Sequence, residues 1–123
     1  MSDVRVLVVD DQEPFRHAMA AVVEATDGFV EVGAVASGED SVTAVARLRP
    51  DLVLMDVNLP GIDGIEATQQ ILRGGEGPVV ILLSTYDEDE FDRRGCGAAS
   101  YVPKAAFGPA RLVQEWEAAR PGR

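Results

Sequence analysis

Three short apolar runs, each ending abruptly at a polar residue, constrain this chain more than any other feature. Val4-Arg5-Val6-Leu7-Val8-Val9 stops at Asp10-Asp11, Leu52-Val53-Leu54-Met55 at Asp56, and Val79-Val80-Ile81-Leu82-Leu83 at Ser84. Continuous runs this short and this rich in Val, Ile and Leu fit strands covered on both faces, the situation of a parallel sheet. Helical periodicity fills the intervals. Phe15, Ala18, Met19, Val22 and Val23 form an i, i+3, i+4, i+7, i+8 stripe, and Val42, Val45 and Leu48 form a second. Such alternation predicts an α/β fold in which the carboxyl ends of the strands share one edge. Asp10, Asp11, Asp56, Ser84 and Lys104, the last following a short strand at Ser100 to Val102, would then gather in one acidic pocket.

Punctuation supports the same division. Pro14 suits an early helical position and Asp27-Gly28 ends the first helix; Phe29 to Val35 reads as a strand and Ser37 as the N-cap of a helix closed by Pro50. Pro60-Gly61 makes a turn before Asp63, whose spacing to Glu66 fits a capping arrangement, and Gly74-Gly75 stops the third helix. A fourth helix, around Glu88 to Arg94, should be short or irregular because Gly95 and Gly97 weaken it. Pro109 opens a fifth, with Leu112, Val113 and Trp116 on its packing side. At 123 residues the chain has the size of one domain, read as 1–119 with 120–123 as a frayed end or the start of a linker.

Charge excludes several functions. With 21 acidic residues against 11 basic, the chain lacks the basic footprint of a nucleic-acid binder, so no direct nucleic-acid contact is expected. Asp87-Glu88-Asp89-Glu90 reads as a solvated loop leading to a helix N-terminus. Cys96 alone can form neither an internal disulfide nor a zinc motif, and reads as a small turn residue. His17 is expected to face solvent. No stretch approaches the roughly 20 apolar residues of a membrane span, and no signal-peptide pattern opens the chain. A cytoplasmic protein without membrane contact is expected.

Carboxylates gathered in one pocket repel and raise one another's pKa unless a cation joins them. Mg²⁺ together with Lys104 would neutralise the three acids, and Mg²⁺ keeps waters and room for a phosphate, so phosphoryl chemistry is the leading reading. An Asp carboxylate can itself be the nucleophile and form an acyl phosphate, and Asp56, held by an apolar strand, is placed for it.

Four segments in order, Val9-Asp10-Asp11, Met55-Asp56-Val57-Asn58-Leu59-Pro60-Gly61-Ile62-Asp63-Gly64, Leu83-Ser84-Thr85 and Gly97-Ala98-Ala99-Ser100-Tyr101-Val102-Pro103-Lys104, resemble the receiver domain of two-component response regulators, most of all those joined to helix-turn-helix (LuxR/NarL-type) output domains. The resemblance implies a flavodoxin-like α/β fold, a five-stranded parallel sheet of order 2-1-3-4-5 with five helices on its two faces. It also implies a regulatory phosphoacceptor rather than an enzyme. Asp56 would take a phosphoryl group from a sensor histidine kinase; Asp11 would ligate Mg²⁺ directly, Asp10 mainly through water, and the backbone carbonyl of Asn58 would complete the protein ligands. Lys104 and Ser84 would engage the phosphoryl oxygens, and Tyr101 would be the switch aromatic. Homodimerisation through the helix 4, strand 5 and helix 5 face is a further implication, although the Ser84 to Tyr101 interval is shorter than the family pattern. Tyr86 and Asn58 would flank the water path and tune dephosphorylation. Where many receivers carry a cis proline after the lysine, Ala105 follows Lys104, and a trans bond is expected.

Two alternatives remain. A haloacid-dehalogenase-like phosphatase also uses an Asp nucleophile and Mg²⁺, but needs a second Asp where Gln12 stands. A receiver-like interaction module independent of phosphorylation would not need the full set of acids, hydroxyl and lysine.

Overall fold

The computed structural model describes residues 3–85 and 96–120. Its elements are β1 (Val4–Val9), α1 (Glu13–Glu24), β2 (Phe29–Val35), α2 (Gly38–Leu48), β3 (Leu52–Asp56), α3 (Gly64–Ile71), β4 (Val79–Ser84), β5 (Ser100–Pro103), a 3₁₀ turn (Lys104–Ala106) and α4 (Pro109–Ala119). All four strand pairings are parallel, in the order β2-β1-β3-β4-β5. This is the flavodoxin-like order that was expected. Four α-helices occur among the described residues where five were expected; the missing one, placed by sequence at Glu88 to Arg94, lies outside them, as do Tyr86 and the acidic Asp87 to Glu90 segment. The helix called α4 here is therefore the fifth of the sequence reading.

The unbroken apolar runs conceal a period of two. Leu7, Val9, Val53, Met55, Val80, Leu82 and Tyr101 face α2 and α3, where Ala44 and Ala67 complete a buried layer. Val6, Val8, Leu52, Leu54, Ile81, Leu83 and Val102 face the opposite way, against Met19 and Val23 of α1 and Leu112 of α4. With two apolar layers to fill, neither face of a central strand can be polar, and alternation vanishes from the sequence.

Helix boundaries follow capping more closely than glycine. Ser37 Oγ accepts from the Asp40 N–H (3.0 Å) and Asp63 Oδ1 from the Glu66 N–H (2.8 Å), as the spacings predicted. At the other ends the helices stop early. α1 ends at Glu24 rather than Asp27-Gly28, with the Thr26 hydroxyl folded back onto the Val22 carbonyl (2.6 Å). α3 ends at Ile71, and Gly75 (φ +90) serves the turn beyond it. α2 ends at Leu48 because Arg49 turns left-handed (φ 50) just before Pro50. Along α4, Leu112 is buried and Trp116 sets its ring edge-on to Phe29 (6.5 Å, 81°), but Val113 is 39% exposed and does not share the packing side.

Candidate functional site

β1 and β3 are neighbours, so Asp10 and Asp56 leave the sheet side by side. Both are buried, Asp10 fully and Asp56 to within 3%, whereas Asp11 is exposed at the rim. A carboxylate oxygen from each of Asp10, Asp11 and Asp56 lies within 4.8 Å of the others. Lys104, first residue of the turn after β5, reaches back across the edge. Its Nζ donates to Asp10 Oδ2 at 2.7 Å and stands 3.5 Å from Asp56 Oδ1. The Gln12 N–H holds Asp10 Oδ1 (2.9 Å), and the Asn58 N–H approaches Asp56 Oδ1 (3.3 Å).

One ammonium cannot neutralise this group. Burial pushes the Asp56 carboxyl up to about 6, the Asp10 charge adds to the rise, and Lys104 with the Asn58 N–H only partly oppose it. The donor set is hard oxygen with an excess of negative charge, and it borders a cleft of about 150 Å³ lined by Asp11, Gln12, Phe15, Asp56, Asn58, Thr85 and Lys104. At about 30 Å³ per water that is room for a partly hydrated divalent ion or a phosphoryl group. The residues present fit Mg²⁺.

Neighbouring backbone is held tightly. The Gly64 N–H donates to the Val57 carbonyl (2.9 Å), and a Cβ at Gly64 would overlap the carbonyl oxygen of Asp56, so only glycine lets α3 start this close to β3. Arg16 donates to the Asp10 carbonyl (2.9 Å). The Lys104 ammonium lies 4.0 Å from the centroid of the Phe15 ring. Beyond Lys104 an apolar cleft of about 350 Å³ opens between α1 and Phe107.

Asp10, Asp11, Asp56 and Lys104 are thus brought together as the sequence predicted. Ser84 is fully buried at the end of β4, opposite Pro103, and Thr85 lines the cleft in its place. Tyr101 is 4% exposed, its ring turned into the layer under α2 and α3. The Lys104-Ala105 bond is trans. Phe15, Arg16 and Thr85 were not singled out for this site. Phe15 was read as helix packing, Arg16 acts through a backbone carbonyl, and nothing in sequence distinguishes Thr85 from the serine before it.

A family model, the response regulator receiver domain, matches residues 6–117. The chain belongs to that family. The receiver is 42% identical over 113 residues to the response regulator GacA of Pseudomonas viridiflava, covering 90% of this chain and 52% of GacA. It thus spans about half the length of that relative. Among solved structures, a two-component response regulator of the LuxR family from Aurantimonas sp. SI85-9A1 aligns with a TM-score of 0.85 at 31% identity, over 95% of this chain and 84% of that one. The signal receiver domain of the putative response regulator NarL from Mycobacterium tuberculosis aligns over 100% of both chains with a TM-score of 0.87 at 27% identity. The match to these relatives supports the LuxR/NarL resemblance. Among the described residues no helix is long and apolar enough to cross a membrane.

Proposed function

We propose that this receiver takes a phosphoryl group onto Asp56 from a phosphohistidine of a sensor kinase, with Mg²⁺ bound, and changes conformation to control an output. The observation that carries this reading is the shared lysine: one ammonium within 4.0 Å of two buried carboxylates, Asp10 and Asp56, with Asp11 open to solvent beside them. In the transfer, an Asp56 carboxylate oxygen forms a bond to phosphorus as the phosphorus–nitrogen bond of the donor breaks, and the imidazole leaves with the bonding pair. A carboxyl raised to about 6 is mostly ionised at neutral pH, so the nucleophile is available without a base. Asp11 and Asp10, the latter mainly through water, together with Asp56 and the Asn58 carbonyl would hold the ion, which when bound offsets the charge of the acids and of the incoming phosphoryl oxygens. Lys104 then pairs with the phosphoryl oxygens, and Ser84 donates to them by moving toward the cleft, drawing on Tyr101 behind it.

The remaining parts of the reading are proposals of the same kind. Residues 1–119 are the regulatory domain, 120–123 its frayed end or the start of a linker, and the output is a helix-turn-helix segment of the sort borne by LuxR-family regulators. The protein works in the cytoplasm without itself touching nucleic acid. Phosphorylation favours homodimerisation through the face to which β5 and α4 contribute. Intact mass after incubation with acetyl phosphate and Mg²⁺ tests the core of it. One added phosphoryl group is expected, absent in Asp56→Asn and suppressed by chelation. Phosphate retained on Asp10 would instead indicate the phosphatase chemistry, and no addition at all a receiver-shaped interaction module.

A further inference from the structure

The segment from Asp56 to Gly64 carries Asn58 two residues after Asp56, and Gly64 fixes only its far end. A second hold comes from a residue 23 positions away. Glu39, in the first turn of α2, turns its carboxylate away from its own helix: Oε2 accepts from the Ile62 N–H at 3.3 Å. The same carboxylate lies against Gly61 (φ +74), where a Cβ would overlap it. Gly38 completes the interlock, since a Cβ there would stand 2.7 Å from Ile62 Cγ1 and 2.8 Å from the Ile62 carbonyl oxygen. The start of α2 is itself set by the Ser37 cap. Two glycines and one carboxylate therefore key α2 into the turn that follows Asn58. A negative group is also well placed here, near the positive end of the α2 dipole.

We infer that Glu39 is a positioning residue for the phosphoacceptor loop, holding Gly61-Ile62 so that the loop keeps the conformation in which the Asn58 carbonyl can serve a cation at the Asp10, Asp11 and Asp56 carboxylates. This rests on the assignment of that carbonyl to the cation. Glu39 itself touches neither ion nor phosphate; it acts through the Ile62 amide, as an outer partner orients an inner ligand.

The test uses the 123-residue chain as parent, Glu39→Ala, Glu39→Gln and Asp11→Ala. Amide hydrogen exchange in the metal-free proteins should show Ile62 exchanging about 10-fold faster in Glu39→Ala and near the parent rate in Glu39→Gln, whose side-chain carbonyl still accepts. Mg²⁺ titration followed by the amide shifts of Asn58 and its neighbours should require about 10-fold more metal in Glu39→Ala, with the requirement largely restored in Glu39→Gln. A parent-like titration in Glu39→Ala, while Asp11→Ala loses its response, overturns the inference and leaves the metal assignment standing, whatever Ile62 does. Parent-like titrations in both alanine variants remove the metal assignment and the inference with it. Equal losses in Glu39→Ala and Glu39→Gln, with Ile62 exchange unchanged in either, also overturn it, because the hydrogen bond would then not be the agent.

Discussion

Asp51 and Asp56 bracket the same strand, β3, and live in opposite conditions. Asp51, at the amino end, is exposed and fully employed: its carboxylate accepts from the Arg5 N–H (2.9 Å), its N–H donates to the Arg5 carbonyl (2.8 Å) and its carbonyl accepts from the Val79 N–H (3.0 Å). It stitches β1 to β4 across the entry of β3. Asp56 is buried beside a second carboxylate, shares a single ammonium, and has its carboxyl raised to about 6. One acid is used for assembly. The other is kept ionisable at a cost, which fits the cation and phosphoryl site proposed above.

The largest effect should come from disturbing the backbone that fixes the costly end. Gly64→Ala forces a Cβ onto the Asp56 carbonyl, an obstacle that no side-chain rotation clears. A loss of about 3 kcal/mol is expected, together with loss of phosphoryl acceptance. Chemical denaturation would measure it, and a parent-like midpoint would mean that the close approach is not needed.

Next in size is a stabilisation. The unfolded Asp56 titrates at its ordinary 3.8 and the folded one at about 6. Between those values the folded chain holds a proton that the unfolded chain has released, so this group's contribution is full below about pH 4 and is lost as pH rises through 6. Asp56→Asn should therefore melt like the parent near pH 4 in the absence of metal, and be more stable by about 1–2 kcal/mol at pH 7 after allowance for screening. Saturating Mg²⁺ should stabilise the parent and narrow or reverse that gap. A gap independent of pH would detach the effect from ionisation.

Asp51→Asn should move least. Its amide can still accept from the Arg5 N–H, so a loss of under about 1 kcal/mol, flat from pH 5 to 8, is expected in thermal melts. If Asp51→Asn proved as strongly pH-dependent as Asp56→Asn, the contrast between the two ends of β3 would collapse.

Much of this is legible in the sequence. Strands buried on both faces have no polar option, so their limits stood out, and the acids that terminate them marked the site edge. Ser37 and Asp63 were readable because a side-chain cap needs one residue type at one spacing. Other features depend on partners distant in sequence. Arg49 takes a left-handed conformation that sequence would assign to glycine, Val113 lies on the exposed side of α4, and Glu39 looks like any acid opening a helix until Gly61-Ile62 is folded against it. Thr85 at the cleft is decided by which way the chain turns after β4, something a Ser-Thr pair does not encode.

β5 has four residues and, among the described residues, one hydrogen-bonded neighbour, β4. Tyr101 belongs to the layer under α2 and α3, Val102 to the layer under α1 and α4, and Lys104 follows two residues later. Mechanically this edge strand is a short crank seated in two bearings. A displacement of the Lys104 backbone would therefore reach both sides of the sheet through two peptide units, whereas β1 and β3 are each hydrogen-bonded on both flanks.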